Sequence, residues 1–125
     1  MPAQVMTTQD IANSVVKLCS AGKFREALEL YSPDIVSVEA GAPPGQSRES
    51  KGIAAVREKT DWWEKNHEVH SGKVEGPLVA GSHFAVKYQF DVTFKPEKRR
   101  FTLEEIGVYK VADGKIVREE FFYSM

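Results

Sequence analysis

Apolar and polar residues alternate strictly along the second half of the chain. From position 84 to 94 the even-numbered residues are all aromatic or valine, and the odd-numbered ones are mostly polar. Successive side chains of a strand leave opposite faces of a sheet, so this period of two predicts a half-buried strand over 83–94. Turn residues at 95–98 and 112–114 then separate two further strands, over 99–111 and 115–123. Glycines and a proline interrupt a preceding strand over 69–79, which we expect to be bent.

The first half of the chain shows the spacing of amphipathic helices instead. Apolar residues repeat at helical spacing after the capping hydroxyls of Thr7 and Thr8, and Gly22 is expected to end this helix. Two more helices are predicted over 24–31 and 52–67, with a short strand over 35–38 and a surface loop over 41–47 between them. Helices followed by a meander predict one α+β domain over residues 1–125, with three helices packed on a curved, mostly antiparallel sheet.

Composition and charge exclude several classes of protein. The chain has 17 basic and 18 acidic residues, a net charge of -1, and no basic face suited to nucleic acid. No apolar run approaches the roughly 20 residues that span a membrane. A single cysteine, Cys19, fits a reducing compartment, so we expect a cytoplasmic protein that binds neither nucleic acid nor membrane. The histidines match no metal-ligand spacing and no phosphate loop is present, so neither metal nor cofactor is expected.

The register of the last hairpin decides which side chains share the inner face of the sheet. A two-residue loop at Asp113 and Gly114 would set Tyr109 opposite Arg118 and scatter the apolar residues over both faces. A three-residue loop over 112–114, with a glycine bulge, sets Tyr109 opposite Val117 and gathers them. We therefore expect the three-residue loop. The inner face then carries Phe101, Leu103, Tyr109, Val111, Val117, Phe121 and Tyr123.

This register places two carboxylates, Glu105 and Glu119, on the same apolar face, near Gly107, where we expect open space. A buried carboxylate without a partner is costly or has a raised pKa, and two close carboxylates push their pKa values apart. Such a pair suits proton transfer, so Glu105 and Glu119 are the candidate catalytic residues. The alternative is that they reach solvent or pair with a helix residue such as Arg57 or Lys59.

Seven further residues are candidates for binding a ligand in a pocket between the helices and the inner face. Glu39 ends the first strand and faces the loop at the pocket mouth. Tyr88 and Tyr123 fall on the apolar phases of their strands and offer hydroxyl groups, although buried tyrosines find such partners in ordinary cores as well. The other candidates are walls of the pocket. The whole set is Glu39, Trp63, Tyr88, Phe90, Tyr109, Phe121 and Tyr123.

The outer face of the sheet carries an apolar strip among charged residues. We assign Ile106, Val108, Ile116 and Phe122 to this strip. Contiguous apolar surface on a convex face suggests a partner, and a symmetric homodimer is the commonest arrangement. The sequence therefore predicts a homodimer through the outer sheet face.

Five short motifs follow one another along essentially the whole chain: Ala21-Gly22-Lys23-Phe24, Leu30-Tyr31-Ser32-Pro33-Asp34, Val38-Glu39, Gly52-Ile53-Ala54-Ala55-Val56-Arg57-Glu58 and Asp113-Gly114-Lys115-Ile116-Val117. In this order they resemble the SnoaL-like branch of the nuclear-transport-factor-2-like superfamily. The resemblance implies a conical half-barrel with an internal pocket, frequent dimers through the sheet, and relatives that include polyketide cyclases, ketosteroid isomerases, epoxide hydrolases, dehydratases and non-catalytic members.

The comparison with ketosteroid isomerase does not carry that activity over to this chain. A rough alignment places Val15, Ala40 and Gly107 where that enzyme has its oxyanion tyrosine, general-base aspartate and protonated aspartate. Glu39 is one residue from the base position, and its side chain is expected to leave the opposite face of the strand. The sequence thus predicts a pocket protein that binds or transforms a small apolar organic molecule by carboxylate acid–base chemistry, of isomerase, cyclase or dehydratase type. The alternative is a non-catalytic ligand-binding or dimerisation module of the same fold.

Overall fold

The computed structural model of the chain describes residues 6–124, which form three helices on a six-stranded sheet. The helices are α1 (Thr8–Ser20), α2 (Phe24–Ala27) and α3 (Ile53–Asn66), and a 3-10 turn over Leu28–Leu30 continues α2. The strands are β1 (Tyr31–Val38), β2 (Glu49–Lys51), β3 (His67–Ala80), β4 (His83–Phe94), β5 (Arg99–Ala112) and β6 (Lys115–Phe122). The sheet order is β2-β1-β6-β5-β4-β3, with β1 and β6 parallel and the other four pairs antiparallel. The predicted α+β class and mostly antiparallel sheet are confirmed.

Local side-chain chemistry fixes the start of α1 as predicted. The Thr7 side chain accepts a hydrogen bond from the Asp10 amide, and the Thr7 amide donates to the Asp10 carboxylate, each at 3.1 Å. This reciprocal pair satisfies two amides that the helix itself leaves free. The buried stripe of α1 packs against β3 and β4, and its members are Ile11, Ala12, Val15 and Cys19. The core therefore lies between α1 and the inner face of the sheet.

The strands of the second half largely follow the alternation in the sequence. On β4 the side chains Phe84, Val86, Tyr88, Phe90 and Val92 are all buried on one face. The pairing of β3 with β4 shifts register twice, between Val69 and Ser71 and between Glu75 and Leu78. The second shift contains Gly76 and Pro77, so the predicted bend of β3 is confirmed.

Three elements near the first strand differ from prediction. The helix expected over 24–31 ends in the 3-10 turn, and Tyr31 already belongs to β1. Strand β1 also runs through Pro33, which lies in the gap between the predicted helix and the predicted strand. Proline is tolerated here because the pairing of β1 with β6 is irregular between Tyr31 and Val36 and needs no amide from it. Strand β2 was not predicted, since three residues are too few to show a period.

The turn of the β5–β6 hairpin differs from the predicted one, but Glu119 still lies on the inner face of the sheet. Asp113 and Gly114, with φ of 50° and 73°, form a two-residue turn that leaves Ala112 opposite Lys115. Val117 then bulges from β6, because Val111 pairs with Ile116 whereas the next pair joins Lys110 to Arg118. The predicted three-residue loop was therefore wrong.

The bulge decides which side chains of β6 face inward. It sets Tyr109 opposite Glu119 instead of Val117, a shift of two residues that leaves Glu119 on the inner face. It also reverses two neighbouring assignments, since Ile116 is fully buried and Val117 is only half-buried. Ile116 therefore belongs to the core, and its assignment to the outer strip was wrong. Ile106 and Phe122 of that strip are 44% and 51% exposed.

We predict that Gly114→Ala lowers the free energy of unfolding by about 1–2 kcal/mol, because alanine is strained at a φ of 73°. Urea denaturation measures the change. Asp113→Gly is the matched control: it relieves the other left-handed residue of the turn and should alter stability by less than about 0.5 kcal/mol. A Gly114→Ala protein as stable as the parent would contradict the turn described above.

Candidate functional site

The carboxylate of Glu119 is enclosed by the fold and held by two hydroxyl groups. Its residue is 2% exposed, the Tyr31 hydroxyl donates to Oε2, and the Ser37 hydroxyl donates to Oε1 at 2.8 Å. The parallel pairing of β1 with β6 sets Ser37 directly opposite Glu119. Burial raises the pKa of Glu119, while the hydrogen bonds from Tyr31 and Ser37 and the charge of Lys59 lower it. Glu119 is thus a fixed group that accepts from both donors.

A second carboxylate, Glu39, is joined to α3 by an ion pair. Lys59 Nζ lies 2.7 Å from Glu39 Oε1 and donates to Ser37 Oγ at 2.6 Å. The Tyr123 hydroxyl donates to Glu39 Oε2 at 3.0 Å. Glu39 lies two residues after the buried Ser37 and shares its face, so the expectation that Glu39 points to the opposite face was wrong. Lys59, considered as a partner of Glu105 or Glu119, pairs with Glu39 instead.

The third carboxylate, Glu105, is the free one. It lies on β5 opposite Tyr88, is half-buried, and has no ion pair or side-chain hydrogen bond with any residue of the 6–124 range, so its carboxyl oxygens are open to solvent. Burial, and to a smaller extent the charges of Glu39 and Glu119, raise the pKa of Glu105 to about 7, against the opposing effect of the Lys59 charge. Glu105 therefore exchanges its proton near neutral pH.

Together these side chains form what we call the acid cluster: Tyr31, Ser37, Glu39, Lys59, Glu105, Glu119 and Tyr123. It contains three carboxylates and one ammonium group, so one carboxylate must share or hold a proton to limit repulsion. A carboxyl group that titrates near pH 7 beside fixed charges can act as a general acid or base. The arrangement suits proton transfer.

The space expected beside Gly107 is filled by aromatic rings. A Cβ at this position would come within 2.9 Å of the Tyr109 hydroxyl and 3.0 Å of the Phe121 ring. Tyr109 stacks on Phe84 at 4.6 Å between ring centroids, and its hydroxyl lies 2.5 Å from that of Tyr88. Glycine here permits close packing of the core, so the expectation of open space was wrong.

A cleft of about 340 Å³ opens elsewhere, between the C-terminal ends of α1 and α3 and strand β3. Its size reaches the range of small-molecule sites. We call it the aromatic cleft, because the rings of Phe24, Trp63 and Phe90 line it. The full lining is Cys19, Ser20, Gly22, Phe24, Trp63, Glu64, His67, Val69, Ser71, Gly72, Val74 and Phe90.

The structure distributes the predicted site residues over three places. Trp63 and Phe90 line the aromatic cleft, whereas Tyr88, Tyr109 and Phe121 belong to or pack against the core. The acid cluster contains Glu39, Glu105, Glu119 and Tyr123. Their roles in catalysis and ligand binding remain predictions. Tyr31 and Ser37 were missed, because the first was assigned to a helix and nothing local marks the second as a partner of Glu119.

Other features of the chain bear on its chemistry. Burial raises the pKa of Cys19 to about 11, so its thiol stays protonated. Between residues 6 and 124, no group of three or more histidine, cysteine or acidic side chains is placed to hold a metal ion. Nor does that part of the chain contain a helix long and apolar enough to cross a membrane.

The fold and sequence place this chain among known proteins. A family model for the SnoaL-like domain matches residues 6–123. The chain belongs to the SnoaL-like family. A provisionally assigned SnoaL-like polyketide cyclase from Mesorhizobium loti is 44% identical to it, over 94% of this chain and 100% of that chain, with a TM-score of 0.88.

More distant structures share the fold. A nuclear-transport-factor-2-like protein of unknown function from Burkholderia pseudomallei is 16% identical over 95% of this chain and 92% of its own, with a TM-score of 0.75. SalBIII, an epoxide hydrolase/cyclase-like enzyme in pyran ring formation of the polyether salinomycin, is 20% identical over 94% and 91%, with a TM-score of 0.71. No curated protein matches the chain. The resemblance inferred from the sequence motifs is confirmed.

We predict that Glu105 makes the protein less stable as the pH rises. The folded chain holds the Glu105 proton up to about pH 7, whereas the unfolded chain releases it near the ordinary pKa of 4.5. Stability from this group is therefore complete below pH 4.5 and is lost as the pH passes 7. Glu105→Gln removes the titration, so between pH 4.5 and pH 8 the variant should gain about 3 kcal/mol of stability relative to the parent.

Urea denaturation at several pH values measures this difference. Glu104→Gln is the matched control, because Glu104 neighbours Glu105 on β5 but is 59% exposed on the outer face beside Lys87. If the parent and Glu105→Gln proteins showed parallel stability curves from pH 4.5 to 8, Glu105 would not carry the raised pKa.

Proposed function

We propose that the chain binds a small apolar organic molecule and transfers a proton on it through Glu105. The observation that carries this proposal is a half-buried carboxyl group without a protein partner, whose pKa lies at about 7. At neutral pH such a group is present in both protonation states, so it can donate a proton in one step and accept one in another. Membership of the SnoaL-like family supports the proposal.

The surroundings of Glu105 support a division of roles within the acid cluster. Glu119 and Glu39 are fixed by hydrogen bonds and an ion pair, and their charges add to burial, which is the main cause, in raising the pKa of Glu105. Lys59 lowers the pKa of Glu105 and limits this effect. Lys59, at the partly exposed end of the cluster, uses two of its three N–H groups on Ser37 and Glu39 and can offer the third to a polar group on the ligand. The Tyr123 hydroxyl oxygen can accept from the ligand.

The reaction types that fit this site are isomerisation, cyclisation and dehydration. Each moves a proton to or from carbon or oxygen, which one positioned carboxyl group can do. The similar proteins named above include a provisionally assigned polyketide cyclase and an epoxide hydrolase/cyclase-like enzyme, both of which fit acid–base chemistry. The partly buried Leu103 and Phe121 would contact the apolar part of a substrate that reaches Glu105.

We predict that Glu105→Gln lowers turnover at least about 100-fold, the usual contribution of a positioned acid or base. A panel of small ketones and epoxides tests this, with carbon–hydrogen exchange in D2O and ring opening or closure followed by NMR. The parent rate should change with an apparent pKa of about 7. Glu104→Gln, on the opposite face of the same strand, should keep full activity, and equal rates in both variants would contradict the role of Glu105.

A non-catalytic ligand-binding or dimerisation module is the second candidate function. The observation that favours it is the packing around Gly107, together with the pairing of Glu39 and Glu119 inside the protein. On this alternative, native mass spectrometry detects a retained ligand or a dimer, while no substrate of the panel turns over. Turnover that depends on Glu105 excludes it.

We also propose a homodimer formed through the outer face of the sheet. Ile106 lies opposite Phe122 across β5 and β6, and both are about half exposed. Leu78 on β3 is 76% exposed and pairs with Ala85, which in turn lies opposite Val108. These side chains form one apolar band across four strands, and a two-fold axis would bury the band against its own copy.

We predict that Phe122→Glu raises the dissociation constant of this dimer at least about 30-fold, because it buries a charge in place of an aromatic anchor. Analytical ultracentrifugation of the parent and variant measures the change. Glu97→Gln, in the exposed turn between β4 and β5, serves as the control. A parent protein that sediments as a monomer at high concentration would contradict the proposed interface.

A further inference from the structure

The aromatic cleft carries an unpaired carboxylate next to its rings. Glu64 lines the cleft and makes no ion pair or side-chain hydrogen bond with any other residue from 6 to 124. Its neighbour along α3, Asp61, is by contrast paired with Arg25 at 3.1 Å. The cleft shares no residue with the acid cluster, so the role proposed for that cluster does not account for the carboxylate of Glu64.

Two helix ends add negative potential at the same place. Cys19 and Ser20, the last two residues of α1, line the cleft, as do Trp63 and Glu64 from the last turn of α3. The aligned peptide dipoles place a partial negative charge at the C-terminal end of a helix, although the carbonyls of Cys19 and Trp63 accept hydrogen bonds from the Gly22 and His67 amides. Helices of 13 and 14 residues are long enough for this effect to develop. Both ends therefore favour a positive charge in the cleft.

No positively charged side chain of the 6–124 range lines the cleft. His67 contributes an imidazole whose pKa burial lowers, an effect that the Trp63 carbonyl opposes and the nearby charge of Arg99 reinforces. The guanidinium of Arg99 lies 4.7 Å above the Phe101 ring, and Arg99 is not one of the residues that line the cleft. The lining thus offers a carboxylate, neutral polar groups and aromatic rings.

The aromatic rings of the cleft are arranged to contact the alkyl groups of a cationic ligand. Phe24 meets Trp63 and Phe90 edge-on, at 6.2 and 5.7 Å between centroids, and Trp63 stacks on His67 at 4.4 Å. Aromatic surface attracts alkylated ammonium groups through both apolar contact and the ring quadrupole. We propose that the aromatic cleft binds an organic ammonium ion, with its alkyl groups on the rings and its charge toward Glu64 and the two helix ends.

The test compares ligands of equal shape and different charge. Choline is positive, 3,3-dimethylbutan-1-ol is its neutral isostere, and 3,3-dimethylbutanoate is negative. Each is titrated into the full chain while the indole and backbone amide signals are followed by NMR, and Trp62→Phe assigns the indole signal of Trp63. We expect choline to bind saturably, at least about tenfold tighter than the alcohol, and to shift Trp63 and residues of the cleft. The carboxylate should not saturate.

Variants separate charge from shape and fold. Glu64→Gln should weaken choline binding about tenfold while leaving the affinity for the neutral alcohol unchanged. Glu58→Gln is the control, because Glu58 is exposed on the same helix and does not line the cleft. Equal affinities for choline and the alcohol, no saturable binding of choline, or an unchanged Glu64→Gln variant would each overturn the proposal. The experiment measures binding and not turnover, so its result does not depend on whether Glu105 transfers a proton.

Discussion

A carboxylate enclosed by a sheet must be compensated, and much of this fold is arranged around that of Glu119. Its two donors, Tyr31 and Ser37, come from β1, which explains why the first strand lies parallel beside the last one. Ser37 in turn accepts from Lys59, so the same chain of hydrogen bonds fixes α3 over the sheet. Leaving such a charge unpaired costs several kcal/mol, a large part of the stability of a domain of this size. Strand β1, helix α3 and strand β6 therefore depend on one another.

The alternation of apolar residues predicts the strands and their faces well, but it does not determine the register of strand pairing. Two registers that differ by two residues place the same side chains on the same face. A three-residue loop and a two-residue turn followed by a bulge both place Glu119 inside, because each differs by one residue from the rejected register and the two differ from each other by two residues. The pattern alone therefore cannot tell Tyr109 opposite Val117 from Tyr109 opposite Glu119. Ile116 is the one sequence signal of the bulge. Simple alternation places this apolar residue on the outer face of the sheet, whereas the structure buries it completely.

The sequence predicts those parts of the candidate site that depend on which face of a strand a residue occupies. It does not predict those that depend on contacts between residues far apart in the chain. Glu105 and Glu119 share a face because of strand alternation, which is a local property. The donors of Glu119 are 88 and 82 residues away in sequence, and no periodicity connects them. Ser37 in particular is a small polar residue among valines, ordinary in a strand until its neighbour across the sheet is known. The aromatic cleft was equally hidden, since helix ends from distant parts of the chain form it.

Burial, together with the unequal share of hydrogen-bond partners in the acid cluster, explains why Glu105 titrates near neutral pH. Glu39 has an ammonium partner, and Glu119 has two hydroxyl donors with the same ammonium group one bond further on. Glu105 has no protein donor of its own, so burial first and then the charges of Glu39 and Glu119 raise its pKa to about 7, although the charge of Lys59 opposes them. The hydrogen bonds that hold the other two carboxylates thus leave Glu105 as the group whose proton can exchange near neutral pH.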